Sequence, residues 1–248
     1  EAGPALTRSG SSVPDTDPVT PSPSAAEIAD DRTPRSYKMR RSRIGSTRQT
    51  ALDTLLGRFA VPDGDAALDL PTLFGSPVVL EIGFGTGTST LAMAAADPGT
   101  GVLAADVHTP GVATLLLGLD EQGLDNVRVL VGDGRQLLQQ RIAPGSLAGV
   151  RVYFPDPWPK GRHHKRRLVD ADFAALVADR LAPGGLLHCA TDWQPYAEQM
   201  IAVLTAEPAL ELAIGDRPDW RPVTRYETRG LDRGHQVTDL FARRVAAT

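Results

Sequence analysis

A single cysteine, Cys189, stands among the 248 residues, which excludes an internal disulfide and a cysteine-built metal cluster. Its neighbours Leu186, Leu187 and Ala190 read as a buried strand, so the thiol is a core side chain rather than a nucleophile. No apolar run reaches the roughly 18 residues that a membrane helix needs, and no charged start leads into an apolar stretch. Neither a membrane span nor a secretion signal is therefore expected, and the expected location is the cytoplasm. An excess of positive charge is missing as well. The formal net charge is -4, which excludes nucleic-acid binding by bulk charge alone. Gly-Lys-Ser and Gly-Lys-Thr do not follow the glycine-rich segment, so there is no P-loop. His163 and His164 have no further ligand-type residues at metal spacing, and no metal is expected.

What is present is unevenly arranged. Hydrophobic residues make up 42% of the chain, enough for one full core in a single domain with a tail. Residues 1–33 hold Glu1, Asp15, Asp17, Glu27, Asp30 and Asp31 among Pro, Ser, Thr and Ala without hydrophobic periodicity, and are expected to be disordered. Residues 34–76 carry a basic arm, Arg35 to Arg48, followed by Leu52, Leu55, Leu56 and Phe59 at helical spacing, which predicts a docking helix over 51–59. A compact domain is expected over 77–248.

Within that domain short apolar runs alternate with helical patterns, which points to an α/β, doubly wound sheet. Strands are predicted at 78–82, 101–106, 127–132, 150–154 and 185–191, with two more at 210–214 and 237–245. Helices are predicted at 88–96, 110–122, 135–141, 172–181 and 194–206. Sheets of this kind bind ligands outside the carboxyl ends of their strands, beside the first one.

The first strand runs into Glu81-Ile-Gly-Phe-Gly-Thr-Gly87. Gly83, Gly85 and Gly87 allow a tight turn and a close backbone approach to a ligand. The spacing is not the dinucleotide fingerprint, because position 88 is Thr. An acid two residues before the first glycine would repel a pyrophosphate but could hold the amino group of a methionine moiety, which favours S-adenosylmethionine over NAD. Asp106, at the end of the second strand, can accept from ribose hydroxyls. Asp133, after the third, is placed to meet an adenine amino group. The fourth strand ends in Phe154-Pro-Asp-Pro-Trp-Pro-Lys160, where prolines on both sides hold Asp156 stiffly and stop the ladder. The run from Lys160 to Arg167 is unmixed in sign and reads as a phosphate-binding segment through Arg162, Lys165, Arg166 and Arg167. Thr191-Asp-Trp193 adds an acid and an aromatic to the same sheet edge, and Arg221 to Glu227 reads as a functional loop.

Taken together, L-E-I-G-F-G at 80–85, F-P-D-P-W at 154–158 with the basic run after it, T-D-W at 191–193 and R-P-V-T-R-Y-E at 221–227 resemble the bacterial tRNA (guanine-N7-)-methyltransferase family over roughly residues 35–245. The resemblance implies a Rossmann-like class I S-adenosylmethionine-dependent methyltransferase fold: a mostly parallel seven-stranded sheet with an antiparallel last strand. It implies methylation of N7 in a variable-loop guanosine of tRNA, at tRNA position 46. It further implies cofactor contacts at Glu81, Asp106, Asp133 and Asp156, with Asp156 also catalytic, and tRNA or target-base contacts at Lys160, Asp192, Thr224, Arg225, Tyr226 and Glu227. This chain departs from the family in having Asp106 where Glu is frequent, and Arg225 and Tyr226 where Lys and Phe are common. Guanine N7 carries a free lone pair, so its methylation needs no general base. A fixed negative group near the developing cation helps instead. In an RNA helix that edge faces a narrow groove closed to side chains, so the target must lie in a loop or leave its stack. Two other readings share some of these features. Amino-methylating enzymes acting on adenine resemble D-P-P-Y or N-P-P-Y rather than Pro155-Asp-Pro-Trp158, and a non-catalytic RNA-binding protein would not need all four acids.

Overall fold

A computed structural model describes residues 44–245 of the chain. The expected disordered tail and the basic arm up to Arg43 lie outside the described residues.

Five apolar runs pair as parallel strands. β1 (Val78–Ile82) is buried along its whole length and lies between β2 (Gly101–Asp106) and β4 (Leu147–Tyr153). β3 (Val127–Val131) pairs with β2, and β5 (Leu181–Thr191) with β4. β6 (Leu210–Gly215) and β7 (Thr238–Arg244) close one side, with β7 antiparallel to both of its neighbours. The order is β3-β2-β1-β4-β5-β7-β6. The chain winds outward from β1 to β3 and then returns to β4 on the other side of β1, which makes the crevice above β1 the switch point.

Helices cover the sheet in two layers. α1 (Ser46–Phe59), α3 (Thr88–Ala96) and α4 (Thr109–Gln122) bury Phe59, Ala94, Leu115, Leu116 and Leu119 against β2 and β3. α5 (Gly134–Arg141), α6 (Ala171–Arg180) and α7 (Gln194–Ala206) bury Leu138, Phe173, Tyr196, Met200 and Leu204 against the opposite face. Val61, Leu68 and Leu70, the last opening α2 (Leu70–Phe74), share that second core, so packing continues to the amino-terminal side of Pro77.

Several boundaries differ from the sequence reading for physical reasons. α1 begins five residues earlier, because its polar first turn adds backbone hydrogen bonds without apolar periodicity. β4 and β5 also start earlier, across a register irregularity around Leu147 and Gly149 that the Ala182-Pro-Gly-Gly185 segment conceals. The basic run forms a 3-10 helix, Gly161–Arg166. The segment read as a loop at 221–227 turns into a helix, α8 (Arg225–Leu231).

Candidate active site

The carboxyl ends of β1, β2 and β4 open into a pocket of about 660 Å³. On one wall Gly83, Gly85 and Gly87 follow β1 at φ 81°, 63° and 74°, backbone that side-chain-bearing residues rarely adopt. The first turn of α4 presses on this loop so closely that a Cβ on Gly111 would fall 1.8 Å from the Gly85 carbonyl oxygen. Asp106 fastens the same turn. Its Oδ2 accepts the Gly85 N–H at 2.7 Å and its Oδ1 the His108 N–H at 2.7 Å. Burial pushes this carboxyl above the usual range, and the two backbone donors oppose that shift. Each oxygen retains a second lone pair for a hydroxyl, so Asp106 fastens the loop and still has acceptor capacity facing the pocket. Asp133 caps α5 by accepting from the Arg135 N–H at 2.8 Å, and lies half-buried on the pocket wall.

Glu81 is 3% exposed, and its Oε2 has no hydrogen-bond partner among the described residues. Burial raises its pKa, against the charge of Arg151. An unsatisfied buried oxygen costs about 1–3 kcal/mol, and a cationic donor entering the pocket removes that cost. A methionyl ammonium beside Glu81, with a nucleoside against Asp106 and Asp133, fits these donors and acceptors. The residues present are therefore suited to S-adenosylmethionine.

The facing wall is the turn after β4. The Phe154 N–H still donates to the Ala190 carbonyl at 2.8 Å, but Phe154 then adopts φ 50° and Trp158 φ 42°. Left-handed backbone at bulky residues costs about 1–3 kcal/mol each and persists only where the surroundings hold it. The turn brings Phe154, Pro155 and Asp156, all half-buried, into the pocket. Trp158 is instead buried, with the Arg166 guanidinium 4.9 Å from its ring centroid. Of the two aromatics that flank Asp156 in this turn, only Phe154 lines the pocket.

Lys160, Arg162, Lys165 and Arg166 are exposed on the 3-10 helix and its start. Arg167 is not available as a phosphate contact. It is 3% exposed, with Nε donating to the Pro157 carbonyl at 2.9 Å and Nη1 to Gln199 Oε1 at 2.6 Å, and it packs over the Tyr196 ring. The residue expected to hold RNA holds the Asp156 turn. Glu227 departs from its expected role in the same way. It is buried, paired with Arg221, and forms a capping box with Thr224 at the start of α8, so it orients the lip of the pocket and is not among the residues that line it. Thr224 and Tyr226 line the pocket, Tyr226 at 58% exposure, whereas the Arg225 side chain lies outside the described residues. Asp192 sits apart from this pocket, half-buried, with Oδ2 3.0 Å from His235 Nδ1 and against Gly230 near the end of α8.

Ile44, the first described residue, also lines the pocket, and nothing in its pattern marked it. The T-x-x-E spacing of Thr224 and Glu227 is a helix-start signal in the sequence, and the capping box at the start of α8 is its structural counterpart. Among the described residues, no helix is long and apolar enough to cross a membrane.

Residues 75–240 match a family described as a putative methyltransferase. A tRNA (guanine-N(7)-)-methyltransferase of Streptomyces coelicolor is 56% identical over 219 residues, 85% of this chain and 81% of its own. One from Burkholderia vietnamiensis is 49% identical over 234 residues, 90% of this chain and 92% of its own. Among solved structures, the 16S rRNA methyltransferase KamB superposes with a TM-score of 0.52 at 17% identity, covering 71% of this chain and 91% of that one. The [4+2]-cyclase SpnF does so at 0.50 and 15%, covering 81% and 93%. Those two likenesses concern the fold alone, and the second shows that the fold does not dictate methyl transfer.

Proposed function

The chain belongs to the tRNA (guanine-N(7)-)-methyltransferase family, and from that premise we propose that it methylates N7 of the variable-loop guanosine at tRNA position 46, using S-adenosylmethionine. The observation that carries this reading is a shared pocket: the acid-walled crevice above β1 and the Asp156 turn after β4 open into one another. S-adenosylmethionine, when bound, supplies a methyl group on a positively charged sulfur.

The residues do the rest by placement. Glu81 accepts from the ammonium of the methionyl part, Asp106 from ribose hydroxyls, and Asp133 from the adenine amino group. Asp156 takes hydrogen bonds from guanine N–H groups and keeps a negative charge beside a purine that becomes cationic, so it acts without removing a proton. Prolines 155 and 157 and the buried Arg167 keep that carboxylate from relaxing away. Lys160, Asp192, Thr224, Arg225 and Tyr226 are assigned to the RNA or the target base. Arg162, Lys165 and Arg166 are assigned to phosphates, where they position RNA without reading sequence.

The test is incubation with unmodified tRNA and methyl-labelled cofactor, followed by nucleoside mass spectrometry, for the wild-type protein and Asp156→Ala. Label in 7-methylguanosine is expected, and the variant should lose about a hundredfold or more in turnover while still folding. A different labelled nucleoside would remove the reading, and near-normal turnover of the variant would remove Asp156 from the mechanism.

A further inference from the structure

Arg221 is 0% exposed. Taking a guanidinium out of water costs several kcal/mol unless paired charges and well-aligned hydrogen bonds replace the solvent. Here they do. Nε donates to Asp239 Oδ1 at 3.0 Å, Nη2 to Asp239 Oδ2 at 3.0 Å and to Glu227 Oε1 at 2.9 Å, and Nη1 to Glu227 Oε2 at 2.8 Å. Two carboxylates are thus gripped by one planar fork, a geometry that an ammonium cannot reproduce.

The chain of contacts continues beyond Asp239. Its Oδ1 lies 2.7 Å from His188 Nε2, and His188 Nδ1 lies 2.9 Å from the Tyr153 hydroxyl. One arrangement satisfies every group: the Tyr153 O–H donates to Nδ1, and the Nε2–H donates to Asp239. Burial holds the His188 pKa below its ordinary value, in keeping with a neutral ring. The Arg221 guanidinium also lies 5.5 Å from the Tyr153 ring centroid and 5.7 Å from that of Phe154. The relay therefore starts at the residue before the strained Phe154 and ends at Glu227, which caps α8.

We propose that Arg221 is a positioning residue for the RNA substrate, holding the Pro222–Tyr226 lip at a fixed separation from the Phe154–Asp156 turn so that the target base enters between them. This rests on the tRNA-methylation reading above. Both ends of the relay open onto the same pocket, through Phe154 and Asp156 on one side and Pro222, Thr224 and Tyr226 on the other. Among the described residues, few other contacts hold the lip. Val223 and Tyr226 are exposed, and α8 has seven residues, too few to be stable alone. Its capping box needs the Glu227 carboxylate, and that carboxylate is aimed by Arg221. Arg217 adds a bond from Nη1 to the Arg221 carbonyl at 2.6 Å. A buried ion cluster gives no more stability than well-packed apolar side chains of similar volume. What it adds here is a defined distance between two walls.

The test compares Arg221→Lys, Tyr226→Ala and the double variant for cofactor affinity, KM for tRNA and kcat. Arg221→Lys should leave cofactor affinity unchanged and raise KM for tRNA by about tenfold or more. Tyr226→Ala should raise KM by itself, and the double variant should be no worse than the worse single one, because both act through the same lip. An unchanged KM with a fallen kcat, or two KM effects that multiply, would overturn the proposal. If Arg221→Lys does not fold, Asp239→Asn asks the same question from outside the pocket: a raised KM for tRNA supports the role, and an unchanged one overturns it. Failure of the wild-type protein to methylate tRNA would remove the function reading. Wild-type turnover with either overturning result would remove only the role of Arg221.

Discussion

On the β1–β2 side of the pocket, the wall is carried by backbone and buried acids: a glycine turn fastened by Asp106, a carboxylate at Glu81 with one oxygen unpartnered among the described residues, and a helix pressed against the loop at Gly111. On the β4–β7 side it is carried by irregular segments held from behind by arginines, Arg167 under the Asp156 turn and Arg221 under the α8 lip. The first wall is an integral part of the sheet and its shape follows from strand ends. The second is a pair of loops whose shape depends on a few buried cations. A small cofactor of constant structure suits the first, and a bulky base that must be inserted suits the second.

The comparison can be broken at each wall separately. The largest expected effect short of Asp156 is at Glu81. Glu81→Gln should weaken cofactor binding by about tenfold to a hundredfold, since a hydrogen bond to a charged group is lost. It should also raise the melting temperature of the cofactor-free protein. The sign follows from its pKa, which burial raises in the folded state. The folded state then holds the proton more tightly than the unfolded one, so the wild-type contribution is most favourable below the ordinary glutamate range and is lost as pH rises through the folded value. The variant's thermal advantage should grow over that interval. A melting temperature that falls instead, at neutral pH, would contradict the account of Glu81 as a buried carboxylate that costs stability.

Smaller effects separate the two kinds of arginine on the RNA wall. Arg162→Ala with Lys165→Ala should leave folding stability nearly unchanged while reducing the salt slope of tRNA affinity by about 1.5. Arg167→Leu should do the reverse, costing about 1–3 kcal/mol of stability through its lost hydrogen bonds with the salt slope preserved. Equal salt slopes in both proteins would put the exposed run outside the RNA interface.

The same division explains what could be read from sequence. β1, β2 and α3 match the predicted boundaries because continuous apolar runs and the Glu81–Gly87 signature leave one solution. The placing of the acids at 81, 106 and 133 around one pocket is legible because strand ends are legible. The Asp106 bond to Gly85 spans 21 positions and exists only once the sheet is formed. On the other wall, Arg167 sits in a run of like charges and is set apart only by where the 3-10 helix ends and turns the chain inward. Arg221, His188 and Asp239 belong to three separate segments that β5 and β7 bring together, so no spacing announces their contact. At Glu227 the motif is legible and the resemblance implies an RNA or target-base contact, but its burial against Arg221 is not legible.

The central claim is that these two walls together deliver one guanine N7 of tRNA to the cofactor's methyl group. Reduction and aniline cleavage cut RNA at 7-methylguanosine, so end-labelled, unmodified tRNA treated with the protein and S-adenosylmethionine reports the methylated position directly. A single new cut at the variable-loop guanosine is predicted; cuts at other guanosines, or none from a protein that binds the cofactor, would contradict it.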